Sequence, residues 1–435
     1  MNNKINLFDY FIYAILILIF ISYFLGFYFR EISNGAGHGD LELHIWPLLI
    51  DLQYNYLDTI ENYSDYKEAT FPFFHTLQYF FNPFIETVFE YTLSNTIFNL
   101  TIVLVFYYYL SKKKVFGNKD TFKFLLPFLF LLSPWYRSTS YWGMTENLAI
   151  LFFIPTCHYF NEFIFNKNNL KSNVFLTIFI SLTIYSRQQY IYLVFSHLII
   201  LFLIDKNFKN IYLSILIYSV LSIPGLVTYY SWDVHKDFDN AMYAINQDIY
   251  TFKNILLNIP KLSSILFFYL IPILIINSKY IYKTLNKKLF LISFIIIYSV
   301  EFYLFQNLEY KTQGGGFIIK FYKIFLNENN YFLIFISSLF FSIIVSYIKK
   351  INKEFIIIIC CLFLIIGSST YIYQEWFDPL YIVIFYILLP KSLILKLNLN
   401  KFYASITLLI WQIMILTTSI IYYHFYLKLP LFYNF

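Results

Sequence analysis

Charge is the first thing this chain lacks. Of its 435 residues only 13% are Asp, Glu, Lys or Arg, against roughly 25% in an ordinary soluble domain. With 59% hydrophobic and 23% aromatic residues, too little polar material is left to cover a water-facing surface. Cysteine is scarce too. Cys157, Cys360 and Cys361 all stand in apolar runs, which excludes a disulfide framework and a cysteine-based metal spacing. Arginine is limited to Arg30, Arg137 and Arg187, beside 28 lysines (31 basic residues less these three). Alanine and glycine are few, while Lys, Asn, Ile, Phe and Tyr are over-used. That bias points to an AT-rich genome and carries no function.

What is present instead is a succession of apolar runs, each near the roughly 20 residues that cross a bilayer as a helix. They lie at 8–29, 92–110, 122–134, 147–165, 173–186, 188–204, 211–230, 262–277, 289–306, 331–348, 355–373, 379–390 and 402–427. The expected fold is all-α, a polytopic transmembrane protein of about thirteen spans forming one domain over 1–435. The first run is longer than the roughly 7–15 apolar residues of a signal-peptide core, and no small-residue cleavage site follows it, so it reads as an anchor.

Lysine placement orients the chain. The clusters 112–123, 167–171, 206–209, 279–288, 349–353 and 391–401 fall on alternate connections. Short cytoplasmic loops collect Lys and Arg, so the N-terminus is expected inside. A net charge of +6 thus reports topology, and no nucleic-acid partner is implied. Acids gather on the opposite connections, above all in residues 31–91. That long first extracytoplasmic loop is expected to carry interfacial helices. All three arginines map to outer helix ends, where a planar guanidinium either binds phosphate or carboxylate or anchors the interface.

Candidate site residues lie on this face. In GAGHGDLELH (35–44) the spacing puts Asp40 and His44 on one helical face, with Glu42 elsewhere. Asp40 reads either as the helix N-cap or as a general base, and His44 either as an interfacial residue or as its partner. The segment ATFPFFHTLQYFFNP (69–83), with its prolines, is expected to form a broken re-entrant piece. His75 there reads first as a packed histidine. Glu146 stands at the mouth of a span, where an unpaired carboxylate is costly, and Arg137 or Arg187 is the expected partner. YSRQQYIY (185–192) gathers Arg187, Gln188 and Gln189 at a tight turn. Asp237 and Asp239 form an isolated Asp-x-Asp in the loop at 231–261, a weak metal signal. In the late outer loop at 307–330, Lys311, Gln313 and Lys320 surround three consecutive glycines whose amides are free to face an anion.

Taken in order, these segments resemble the GT-C superfamily of membrane glycosyltransferases. Within it the chain is most similar to the dolichyl-phosphate-glucose-dependent α-1,2-glucosyltransferase family. DLELH (40–44) keeps the Asp and His of that family's first lumenal motif, with the second acid moved to Glu42. ATFPFF (69–74), YWGMTEN (141–147), YSRQQY (185–190) and EWFDPLYIVIFYILLPKSL (375–393) follow in the family's order. The family's late Asp-Asn-Arg-His run is replaced by KTQGGG (311–316).

The resemblance implies an inverting transferase that takes a hexose, such as glucose, from a polyprenyl-phosphate donor to a glycan or lipid-linked acceptor. Asp40 would be the base. Glu42, His44, Glu146, Arg187 and Gln188 would bind substrate, and Lys311, Gln313 and Lys320 the donor phosphate. No metal or cofactor is expected. A transporter or flippase of lipid-linked glycans, or a glycan polymerase, stands as the alternative. From the short loops and the compositional bias, the expected compartment is a bacterial inner membrane in preference to the endoplasmic reticulum.

Overall fold

The computed structural model describes residues 7–33, 37–66, 70–112, 122–165, 169–231, 252–305, 330–347, 353–369, 372, 377 and 401–426. Among them there are helices and turns and no β-strand. This is what lipid demands, since a backbone with no water to bond must satisfy its amides and carbonyls within each segment.

The helices are α1 (Leu7–Tyr28), α2 (Gly37–Asp40), α3 (Trp46–Tyr54), α4 (Tyr56–Glu61), α5 (Phe73–Phe81) and α6 (Val88–Lys112). They are followed by α7 (Phe122–Phe128), α8 (Pro134–Tyr141), α9 (Glu146–Phe165), α10 (Leu170–Ser186), α11 (Tyr192–Ile200) and α12 (Phe208–Ser231). The later part holds α13 (Phe252–Ile276), α14 (Ser278–Thr284), α15 (Lys287–Phe305), α16 (Asn330–Tyr347), α17 (Lys353–Gly367) and α18 (Lys401–Ile421).

Helix covers twelve of the thirteen apolar runs, and the run at 379–390 lies outside the described residues. Seven helical stretches are long and apolar enough to cross a membrane, and three more are apolar but shorter. The chain is therefore a helical membrane protein.

Burial sorts the spans. Of the apolar window of α13, 67% is buried, whereas in α12 and α15 only 11% and 17% are, so α13 is central and the described residues leave most of the other two uncovered. Where helices meet, small polar residues form the seams. Thr92, Asn95, Thr96 and Asn99 recur at helical spacing on α6 and are all buried against α8 and α9. Small side chains let backbones approach in the absence of a hydrophobic drive between helices. Buried tyrosines finish the seam: the Tyr23 hydroxyl donates to the Thr96 carbonyl (3.1 Å) and Tyr136 to Asn99 (2.5 Å).

The entry to the first loop is held by a buried ion pair. Arg137 on α8 donates to both carboxylate oxygens of Glu31 (2.9 and 2.5 Å), and also to the Ser22 hydroxyl and to the Ser22 and Leu131 carbonyls. It can enter because residue 26 is glycine; any Cβ there would collide with the guanidinium. The next residues are tied as well, with Ser33 donating to the Pro134 carbonyl (2.8 Å) and Ser419 donating to that of Ser33 (2.8 Å). Arg137 is thus a structural clamp, and its expected choice between Glu146 and other partners falls to Glu31.

Candidate functional site

The first loop folds onto the bundle through Gly37. A Cβ there would lie 2.5 Å from Trp142 Cδ1, so only glycine lets α2 rest on this buried indole at the end of α8. The helix does not begin at Asp40. It runs from Gly37 through a π-helical turn, Leu41–Ile45, into α3. Asp40 has helical dihedrals and makes no side-chain cap hydrogen bond. The N-cap reading is therefore corrected: Asp40 lies within the helix, and its carboxylate is not spent on the backbone amides. Single π turns of this kind frequently mark functional positions.

His44, at the far side of the π turn, donates from Nδ1 to the Tyr66 carbonyl (3.1 Å). A carbonyl only accepts, so Nδ1 carries a proton and Nε2 is not engaged by this contact. The turn at 63–66 braces the loop in two further places. Tyr66 donates to Asp51 Oδ2 (2.5 Å), and the Tyr63 hydroxyl bonds to Nδ1 of the fully buried His75 (2.9 Å). Burial holds the His75 imidazole neutral, down to about 3, so it is a packed histidine, as its surroundings in the sequence implied. Glu42 turns away, is exposed, and pairs with His38 (3.2 Å).

Glu146 reaches the site by a separate route. Gly143 takes a left-handed backbone (φ 64°), and its carbonyl accepts from the Tyr91 hydroxyl (2.6 Å). Asn147 is locked to α8 through Thr139 (2.8 Å) and Ser140 (2.8 Å). These contacts set the first residue of α9, where Glu146 is buried and forms an ion pair with Arg187. Arg187 ends α10 in an extended conformation, its amide bonded back to the Thr183 carbonyl (2.9 Å). Gln188 follows, half-buried, at the start of a single 3-10 turn. The segment around Pro72 covers this corner. Phe71 and Phe73 lie 5.6 and 6.0 Å from the Tyr185 ring.

Four charged or chargeable residues thus converge: Asp40, His44, Glu146 and Arg187. Their fields are felt in the Asp40 carboxyl. Burial and, next, the Glu146 charge push it up to about 6, while His44 and Arg187 oppose them. Glu146 Oε2 is buried and has no hydrogen-bond partner among the described residues. A carboxyl that ionises near neutrality, within the field of a half-buried guanidinium and a buried carboxylate with one open oxygen, can take a proton and hold a polar or anionic ligand.

Lys311, Gln313 and Lys320 lie outside the described residues, as do Asp237 and Asp239. No group of three or more metal-ligating residues occurs among those described. The Tyr91–Gly143 and Arg137–Glu31 contacts were not foreseen; the only sequence signal for either was a glycine or arginine at a helix end.

Fold and site together define a class: a helical membrane protein with a buried charged cluster at one end of its bundle. Comparison with protein-family models, curated proteins and solved structures finds no match to the chain.

Proposed function

We propose that this protein is an inverting glycosyltransferase of the GT-C type, with about thirteen spans and its site on the extracytoplasmic face. It would move glucose or another hexose from a polyprenyl-phosphate donor to a hydroxyl of a glycan or lipid-linked acceptor. The observation that carries the reading is the Asp40 carboxyl, which titrates at about 6, beside the Glu146–Arg187 pair.

In the proposed reaction Asp40 takes the proton of the acceptor hydroxyl. That oxygen forms a bond to the anomeric carbon from the face opposite the leaving group. The bond from the anomeric carbon to the phosphate oxygen breaks, and its electron pair leaves with the polyprenyl phosphate. A general base works best when its pKa lies near the working pH, and Asp40 fits that condition. Arg187 would share its fork between Glu146 and the leaving phosphate, where the charge develops. Glu146 Oε2 would accept a sugar hydroxyl. Lys311, Gln313 and Lys320 belong to the proposal as further donor-phosphate contacts, supported by sequence alone. The alternating lysine clusters support the orientation, and the compositional bias a bacterial inner membrane.

The test is incubation of the purified protein with labelled polyprenyl-phosphate glucose, mannose and other sugars, with and without Asp40→Asn. Consumption of one donor by the wild type and its loss in the variant is the expected result. Equal turnover by both would remove Asp40 from the mechanism.

A further inference from the structure

Away from the Asp40 cluster, a second carboxyl is buried inside an apolar span. Glu301 on α15 is 5% exposed, on a helix of which only 17% of the apolar window is buried. It has no ion-pair partner among the described residues. Its own contacts are two hydroxyls of α16, and a hydroxyl of α13 stands behind them. Ser337 on α16 donates to Oε1 (2.6 Å) and Ser338 to Oε2 (3.0 Å), while Ser263 on α13 reaches the Ser337 oxygen (2.7 Å). All three serines are fully buried.

Counting protons shows what this cluster lacks. Ser338 is also 2.8 Å from the Ile334 carbonyl, and Ser263 is 2.5 Å from that of Ile259. Five short oxygen–oxygen contacts therefore compete for three hydroxyl protons. The carboxylate brings a full negative charge and no proton, into a region where an uncompensated charge costs several kcal/mol. One small positive charge cancels the first deficit and eases the second. A proton on Glu301 donates to one serine and frees that serine's hydrogen for its own helix carbonyl. A bound Na⁺ does the same from the other side: it takes the lone pairs of carboxylate and hydroxyls, and the hydroxyl protons turn to Ile259 and Ile334. Charged neighbours are few. Along α13 the nearest is Lys261, itself buried. On α15 they are Lys287 and Lys288 at its beginning, and α16 carries only Tyr331 and Tyr347 as titratable groups.

We infer that Glu301, Ser263, Ser337 and Ser338 form a binding site for one small monovalent cation, H⁺ or Na⁺, joining α13, α15 and α16. The inference does not depend on the proposed transferase reaction.

The experiment is thermal unfolding of the purified full chain in detergent. One series replaces N-methylglucamine chloride by NaCl or KCl at constant ionic strength and mildly alkaline pH. A second varies pH without Na⁺. A ligand that binds only the folded state raises Tm with its concentration. A rise of a few degrees with Na⁺, absent in Glu301→Gln, identifies the ion as Na⁺. A Tm that falls as pH rises, flattened in Glu301→Gln and indifferent to Na⁺, identifies it as a proton. No response in the wild type, or the same response in Glu301→Gln, overturns the inference. If Glu301→Gln does not fold, Ser338→Ala decides, since it keeps the carboxyl and removes one contact. It should move the half-maximal Na⁺ concentration or the pH midpoint by about tenfold or one pH unit, the worth of one hydrogen bond to a charged group; an unmoved midpoint overturns the inference.

Discussion

The Arg187 guanidinium binds one carboxylate oxygen of Glu146 and leaves the other, Oε2, buried with no hydrogen-bond partner among the described residues. A buried carboxylate with one oxygen left open is costly to keep, and the Asp40 carboxyl feels the charge of Glu146. Glu146→Gln removes that charge. The pKa of Asp40 should then fall below about 6, and the acid limb of the transfer pH profile should move to lower pH. Measurement of that profile for wild type and variant gives the sign directly.

Asp40 itself links activity and stability with opposite signs. Its folded pKa of about 6 lies above the ordinary value, so the folded state binds more protons between the two. Stability contributed by the protonated form is present at acid pH and lost as pH rises through about 6. Asp40→Asn should therefore abolish transfer and raise stability at neutral pH, by about 2–3 kcal/mol on the scale of ~1.4 kcal/mol per pKa unit. Donor turnover and Tm of the one variant check both halves. Loss of activity with a lowered Tm would contradict it.

Arg137 and Arg187 should separate in kind. Arg137→Met leaves Glu31 buried without its fork and should cost about 3–5 kcal/mol, the usual penalty for breaking a buried pair. Arg137→Met combined with Glu31→Gln should recover part of it. Arg187→Lys keeps a charge near Glu146 but loses the planar fork, and its main effect should be on turnover. Denaturant titrations beside initial rates distinguish the two arginines.

The two glycines that seat the site should not tolerate a methyl group. Gly37→Ala puts a Cβ 2.5 Å from Trp142 Cδ1, which must lift α2 and carry Asp40 away from Glu146. Gly143→Ala adds a left-handed backbone strain of about 1–2 kcal/mol to a collision with Tyr91. We expect Gly37→Ala to lower turnover more than Tm, and Gly143→Ala to lower both.

Much of this was legible in the order of residues alone, because its causes are local or compositional. Scarce charge and repeated apolar runs require membrane helices, since lipid accepts no unpaired backbone. The spacing of Asp40 and His44 requires a shared face, and the π turn preserves it. A carboxylate at a span mouth, as at Glu146, requires a cation nearby. Which cation was not local information. Glu146 and Arg187 are separated by 41 positions, and Glu31 and Arg137 by 106, and only the packing of helix ends decides such pairs. The freeing of Asp40 from a capping role depended on a helix that starts at Gly37, because that residue alone fits against Trp142. Glu301 was a single acid in an apolar run; α16 had to pack against it to supply its two serines, and α13 to add the third behind them. Sequence determined the kind of element and the face each residue takes; tertiary structure decided which charges meet, because desolvated charges interact through contacts that sequence distance does not record.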